Sequence, residues 1–240
     1  MTEFFDRYYP TLCVRRAEMM GMEKLPDLEK DKMLPTVLLA PWLNSIKFQN
    51  TFDRISKSVG DRKIIVDLDR YYQSSSFLES RVYFNSLISA GDRHQKWIDL
   101  INDHENYIPC VQIFDQTAEN IKIQVDFFKT LGRGFVFRFE TQRNYNYSYI
   151  SEILSENMHE DILVIFDTGW QDFSDLQIMR VSNSIEWLTT TNSGSKFVIT
   201  GSNFPNSFTD YENVGALNMG TIYLLDPFRV RSLHEISKAV

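Results

Sequence analysis

Short apolar runs, separated by about 20–40 residues, are the feature that most constrains the fold of this 240-residue chain. They are only about 4–8 residues long and rich in β-branched and aromatic residues, which is typical of strands buried on both faces of a parallel sheet. The eight predicted strands are residues 11–14, 35–40, 63–68, 107–114, 134–139, 161–167, 196–200 and 221–225.

Segments with helical periodicity lie between these runs. Over residues 118–131, the side chains of Ile121, Val125 and Phe128 fall on one helical face, and Gly132 follows as a helix stop. Further helices are predicted at 80–105, with Gly91 as the candidate break, at 149–154 and at 176–188.

The alternation of strand and helix predicts an α/β fold with a parallel sheet and crossover helices on its outside. About eight repeats suit a closed barrel, so we predict a (β/α)8 TIM-barrel-like single domain over residues 1–240. A doubly wound open sheet is the alternative, although no Gly-x-Gly-x-x-Gly motif follows any predicted strand. No Gly/Ser-rich or Pro-rich linker indicates a domain boundary.

The charge balance and the cysteine content bear on location and partners. The net charge is −7 and the pI is about 5.2, which disfavours binding to a phosphate backbone. Cys13 and Cys110 fall in different predicted strands and are expected to be reduced, buried thiols. The acidic N-terminus does not resemble a signal peptide, and no apolar run is long enough for a membrane helix. We therefore expect a cytoplasmic protein that binds no membrane.

Polar residues follow several predicted strands, where the loops of a barrel carry its chemistry. The candidate rim pocket comprises Arg16, Glu18, Asp67, Asp69, Arg138, Glu140, Asp167, Ser202 and Asn203. These carboxylates and arginines could form an acid/base pocket or hold Mg²⁺. The alternative, which we favour, is a structural ion-paired layer in which Arg138 neutralises Asp67 or Asp167. In either case we expect Asp67, Arg138 and Asp167 to share one end of the barrel.

No complete catalytic motif accompanies this pocket. The turn at Ser202 lacks the Gly-x-Ser-x-Gly elbow of a nucleophile, so it is interpreted as an anion-binding turn or, preferably, as a turn for which Gly201 permits an unusual backbone angle. The histidines show no metal-site spacing and are expected at the surface; they are His94, His104, His159 and His234. We expect no metal and no other cofactor.

The aromatic segment that includes Tyr145 and Tyr147, preceded by Arg143, is the candidate partner-binding surface. Tyrosine and arginine are typical anchors of protein interfaces. Base stacking with single-stranded nucleic acid is a second interpretation, and a loop packed on the barrel rim is a third.

Three stretches resemble the beta protein family of phages, satellite phages and bacterial genomic islands. They are the segment Tyr8–Glu18, the strand Ile65–Leu68 and the strand with its turn at Phe197–Ser207. Two features depart from the family. The last barrel strand of the family usually carries an Arg and a Glu close together, whereas region 224–229 reads LLDPFR here, and the family usually continues well beyond position 240.

The resemblance implies a barrel-like fold, and no general enzymatic activity is established for the family. In the satellite-phage arrangement, the beta protein is encoded beside a lethal partner called Gop and counteracts it. The first hypothesis is therefore a phage-defence or immunity-associated interaction protein. Its barrel would be a binding scaffold that neutralises or regulates a toxin or defence effector encoded nearby.

The second hypothesis is a metal- or acid/base-dependent hydrolase that acts on a small phosphorylated or nucleotide-like ligand at the C-terminal rim. A nucleic-acid-binding component is a third, which the acidic balance disfavours.

Overall fold

The computed structural model of this chain describes residues 7–72, 77–89, 91, 93–157, 161–169, 175–191, 196–201 and 223–225. It has the predicted α/β architecture, and all eight predicted strands are present. The strands are β1 Thr11–Cys13, β2 Thr36–Leu39, β3 Ile64–Leu68, β4 Tyr107–Pro109, β5 Phe135–Glu140, β6 Ile162–Asp167, β7 Lys196–Thr200 and β8 Tyr223–Leu225. The helices are α1 Arg16–Lys24, α2 Asp27–Lys30, α3 Gln49–Val59, α4 Glu79–Ile88, α5 Gln95–Asn102, α6 Ala118–Thr130, α7 Tyr147–Glu156 and α8 Asp175–Thr191.

The strands form two four-stranded sheets, in the orders β1-β2-β3-β4 and β5-β6-β7-β8. Neighbours in the first sheet are parallel, with Thr36 opposite Ile65 in the pairing of β2 with β3. Strands β6 and β7 are also parallel, but β8 runs antiparallel to β7, with Val198 opposite Leu224. The prediction that every strand is parallel is therefore wrong for β8, because an apolar run encodes burial and not strand direction.

The chain divides into two compact units, which we describe separately. Unit 1 comprises Met1–Gln112 and Gln116–Val136, and unit 2 comprises Ile113–Asp115 and Phe137–Val240. Across the described residues the pairings give these two sheets, and no pairing that closes all eight strands into one ring is seen.

Unit 1 is built on β3, whose five residues are all buried. The indole of Trp97, on α5, is buried as well, and its Nε1–H donates to the carbonyl oxygen of Cys110 at 3.0 Å. Cys110 also forms a parallel bridge with Val136, the second residue of β5. Cys13 and Cys110 are both buried, and no disulfide joins these two thiols.

Stacked aromatic rings form the core of unit 2. The ring of Phe139 in β5 stacks on that of Phe166 in β6 at 5.5 Å, and Phe166 stacks in turn on Phe197 in β7 at 6.3 Å. Large rings from three neighbouring strands thus bury apolar area and favour offset stacking in the same layer.

Local signals explain the helix boundaries. The hydroxyl of Thr117 accepts a hydrogen bond from the backbone N–H of Asn120 and caps α6, whose predicted apolar face is buried. The break between α4 and α5 falls near Gly91 as predicted, and Arg93 and His94 in this turn have left-handed φ values of 50° and 60°. Within the described part of the chain, no helix is long and apolar enough to cross a membrane.

Candidate functional site at the strand ends

An ion-pair network occupies the ends of β5 and β6 in unit 2. The guanidinium of Arg138 donates from Nε and Nη2 to Oδ2 of Asp167, at 2.9 and 2.6 Å. Its Nη2 also lies 3.4 Å from Oε1 of Glu140. All three side chains are buried, so the charge of Arg138 is balanced within the protein, as the structural interpretation of the rim predicts.

Glu140 extends this network toward the surface. Its Oε2 forms an ion pair with Nε of Arg143, and the guanidinium of Arg143 lies over the ring of Phe114, 4.4 Å from its centroid. The backbone N–H of Glu140 donates to the hydroxyl of Tyr145 at 3.0 Å. Arg143 and Tyr145, predicted as partner-binding residues, therefore both contact the buried carboxylate residue Glu140.

The second oxygen of Asp167 is used as well. Oδ1 accepts a hydrogen bond from the backbone N–H of Gly169 at 2.8 Å, and Gly169 has a φ of 70°. Nearby, a Cβ atom at Gly201 would lie only 1.8 Å from Oγ1 of Thr168. Glycine at 201 is thus required by close packing, and not by the unusual backbone angle that the sequence suggested. Ser202 and Asn203 lie outside the described residues.

In unit 1, a neutral side chain holds the carboxylate at the end of β3. Oδ1 of the buried Asp67 accepts hydrogen bonds from Nε2 of Gln112 and from the backbone N–H of Leu68, both at 2.8 Å. Oε1 of Gln112 accepts a hydrogen bond from Arg70 at 2.5 Å. The side-chain amide of Gln124 pairs with the backbone of Gln112. Its Oε1 accepts from the Gln112 N–H at 2.9 Å, and its Nε2 donates to the Gln112 carbonyl oxygen at 3.1 Å.

Gln112 therefore organises the polar cluster of unit 1, and its partner Gln124 was not predicted as a site residue. A usable signal existed for Gln124, because it follows Ile121 by three residues and adjoins Val125 on the apolar face of α6. A polar residue at a buried helical position needs hydrogen-bond partners inside the protein. The predicted pairing of Asp67 with Arg138 concerns residues of different units and stays a prediction.

Two further carboxylates of unit 1 interact electrostatically. Oε2 of Glu18 accepts a hydrogen bond from the backbone N–H of Cys13 at 2.6 Å, and Oδ1 of the buried Asp69 accepts one from Tyr71 at 3.0 Å. The pKa of Glu18 is raised, mainly by burial and further by the charge of Asp69, although the Cys13 N–H and Arg15 act in the opposite direction. A carboxyl with a raised pKa is suited to donate a proton.

One further candidate of unit 1 lies at the start of α1. Arg16 is exposed at the first residue of α1. Across the residues that the structure describes, no group of three or more His, Cys, Asp or Glu side chains could hold a metal ion.

The expectation of surface histidines is wrong for His94, which is almost completely buried at the N-terminus of α5. Burial lowers its pKa, and the charge of Arg70 lowers it further, while Gln116 and the backbone of Leu87 oppose the shift. His104 is half-buried, and its ring stacks on Tyr107 at 4.5 Å. The charged sequence around His94 hides its burial, because the left-handed backbone there departs from helical periodicity. His159 and His234 lie outside the described residues.

The two predicted partner-binding tyrosines are half-buried. The ring centroids of Tyr145 and Tyr147 lie 5.2 and 5.3 Å from that of Phe139. Tyr147 also contacts the ring of Trp187 at 5.8 Å, and burial raises its pKa. Both rings thus pack on the core of unit 2, with Tyr147 at the first residue of α7, and partner binding by these residues stays a prediction.

Comparison with known proteins gives the family of this chain. Protein beta of Enterobacteria phage P4 is 26% identical over 218 residues, which cover 88% of this chain and 59% of the phage protein. The chain thus spans less than two thirds of the length of this relative. No solved structure matches it. The model of the family described as Beta protein matches residues 8–223, a range that includes all three resembling stretches, and the chain belongs to that family.

Proposed function

We propose that this chain binds and neutralises a protein partner, in an immunity role within phage defence. The observation that carries the proposal is the internal compensation of charge at the strand ends. Arg138 is engaged by both Asp167 and Glu140, and Asp67 by the amide of Gln112. Groups engaged in this way stabilise a scaffold, whereas a catalytic acid or base must exchange protons with a ligand.

The family supports the same role. Its resemblance implies the arrangement in which a beta protein counteracts a lethal protein encoded beside it. For this chain, we therefore propose a partner of the same kind, a toxin or defence effector encoded nearby. Two buried thiols with no disulfide between them support action in the cytoplasm.

We also propose that the eight strands belong to one TIM-barrel-like domain. Two observations support a continuous order of strands into β5. Strands β1 to β4 are adjacent and parallel. After β4, Cys110 forms a bridge with Val136, and the Val111 N–H donates to the Val136 carbonyl at 2.8 Å. The antiparallel β8 counts against a regular final strand. A crystal structure with hydrogen bonds between β8 and β1 would support closure, and two separate open sheets would contradict it.

One observation favours hydrolysis as a second candidate function. Burial raises the pKa of Glu18 and the charge of Asp69 raises it further, so these two carboxyl groups interact. Two carboxylates with separated pKa values can act as acid and base on a small phosphorylated or nucleotide-like ligand.

The test of the proposed function is rescue of growth. The gene encoded next to this chain is expressed alone and together with the chain, and we expect the chain to restore growth that its neighbour prevents. Copurification of the two proteins and the denaturation midpoint of each variant accompany the assay. No rescue would contradict the neutralising role.

Asp67→Asn separates the two candidate functions. Asn retains an oxygen that can accept from Gln112, so we expect rescue to fall only in proportion to the folded protein that is lost. Asp53→Asn, at an exposed carboxylate of α3, is the control. If Asp67→Asn keeps the wild-type denaturation midpoint but abolishes rescue, the rim performs chemistry or binds a required ligand, and the hydrolase is favoured.

A further inference from the structure

The loop after β2 holds two exposed apolar side chains in a fixed position. Leu43 is 63% exposed and Ile46 is 62% exposed, although Ser45 between them is buried. The hydroxyl of Ser45 donates to the carbonyl oxygen of Lys47 at 2.6 Å and accepts from Nδ2 of Asn50 at 2.8 Å. These bonds order the loop before any partner binds, which lowers the entropic cost of binding.

The same loop is joined to the start of α4. The backbone N–H of Ser80 donates to the carbonyl oxygen of Ile46 at 2.7 Å. The hydroxyl of Ser80 donates to the carbonyl oxygen of Ser45 at 2.6 Å. Beside this junction, Phe48 packs against the ring of Tyr83 at 5.1 Å.

Apolar side chains around this junction remain in contact with solvent. Phe77 is 96% exposed, and Val82 and Tyr83 are 59% and 37% exposed. Isolated exposed apolar residues are ordinary, but exposed apolar residues on two segments joined at one ordered junction can form an interaction surface. We call this surface the α4 patch; it consists of Leu43, Ile46, Phe77, Val82 and Tyr83.

Acidic residues lie beside the α4 patch. Glu79 is exposed and shares a helical face with Val82 and Tyr83, three and four residues further along α4. The charges of Asp99 and Asp103 on and after α5 raise the pKa of Tyr83, in addition to the effect of its burial. Exposed cations on or next to these segments include Lys47, Lys96 and Arg93, of which Arg93 pairs with Glu119, and the whole chain carries a net charge of −7.

We propose that the α4 patch docks a segment of the partner protein that has an apolar face and basic flanks. The inference rests on the proposed function and names the surface that serves it. The charge argues against the other occupants, because a second copy would bring another net charge of −7 and anionic lipid headgroups would meet the carboxylates of Glu79, Asp99 and Asp103. An amphipathic helix with lysines beside its apolar stripe has the required chemistry.

The test uses two synthetic amphipathic peptides with the same spacing of leucines. In one, every polar position is Lys, and in the other it is Glu. Fluorescence anisotropy of each labelled peptide is measured with the full chain. We expect the Lys peptide to bind more tightly, with a Kd that rises about tenfold in Ile46→Asp and in Val82→Asp. Glu79→Lys should weaken binding of the Lys peptide about two- to fivefold at low salt and less at high salt.

Leu28→Asp is the matched control, because Leu28 is 77% exposed but lies on α2, outside the α4 patch. It should leave the Kd unchanged. Leu43→Ser provides a milder change if an aspartate variant fails to fold, which the denaturation midpoint reports. Equal affinity for the two peptides, or binding of neither, would overturn the proposal. A wild-type dimer that Ile46→Asp converts to monomer would also overturn it, in favour of a second copy.

The growth assay separates this surface from the function on which it rests. If wild type rescues growth and the α4 patch variants also rescue it fully, the partner binds elsewhere and the neutralising role stands. If wild type gives no rescue, the neutralising role fails whatever the peptides do.

Discussion

The two units bury charge at their strand ends in different ways. In unit 2, the carboxylates of Asp167 and Glu140 face the guanidinium of Arg138, so formal charges of opposite sign meet in a place with little water. In unit 1, the carboxylate of Asp67 is held by the neutral amide of Gln112 and a backbone N–H. Asp167→Asn removes a charge that faces Arg138, whereas Gln112→Leu removes only neutral hydrogen-bonding groups, so the units should respond unequally to these substitutions.

The largest expected effect is that of Asp167→Asn. The variant replaces the carboxylate that faces Arg138 with a neutral amide, and it should lower the free energy of unfolding by about 3–4 kcal/mol. Urea denaturation measures the change. Asp161→Asn is the control, because its pair with Lys196 is more exposed and should cost less than about 1 kcal/mol. Equal losses in the two variants would show that the network of unit 2 is not the dominant electrostatic element.

Glycine substitutions compare packing in the two units. Gly201→Ala in unit 2 places a methyl group against Oγ1 of Thr168 and should cost about 2–3 kcal/mol. Gly21→Ala in α1 of unit 1 meets no atom within 4 Å and should stabilise by about 0.5–1 kcal/mol. Thermal denaturation of both variants tests the contrast. A stable Gly201→Ala protein would mean that Thr168 can move away at little cost.

Gln112→Leu tests the neutral arrangement of unit 1. Leucine removes the amide that Asp67 and Arg70 share, but Oδ1 of Asp67 keeps the bond from the Leu68 N–H. We expect a loss of about 1–2 kcal/mol by urea denaturation, smaller than that of Asp167→Asn. Gln49→Leu, at an exposed position of the same unit, is the control, with an expected change below about 0.5 kcal/mol. A loss larger than that of Asp167→Asn would reverse the ranking of the two units.

The smallest expected effect is the pH dependence contributed by Glu18. Its folded-state pKa is raised above the ordinary value of 4.5, so the fold favours the protonated carboxyl and loses stability as pH rises through the folded pKa. Glu18→Gln keeps an acceptor for the Cys13 N–H but does not ionise. As pH rises above about 4.5, the unfolding free energy of Glu18→Gln should therefore increase relative to that of wild type. A difference that stays constant with pH would contradict a raised pKa.

Local patterns in the sequence predicted most of the secondary structure. The run 63–68 became β3 and the run 161–167 became β6, because a strand buried on both faces needs an almost continuous apolar sequence. The periodicity over 118–131 likewise gave α6, with its apolar face buried. The interpretation of Arg138 and Asp167 as an ion pair also followed from sequence, because charges that directly adjoin buried strands need nearby partners.

Tertiary contacts decided the rest. The burial of His94 depends on one turn with a left-handed backbone. The pairing of Gln112 with Gln124 depends on contacts between separate elements. The same is true of the packing of Tyr145 and Tyr147 on Phe139. The direction of β8 and the exposure of Leu43 and Ile46 likewise have no periodic signal. The sequence by itself determined which segments are strands and helices, since apolar periodicity is a local property. Only the tertiary structure decided which polar groups face each other and which apolar groups stay in water, because both depend on the surface left uncovered once the elements have packed.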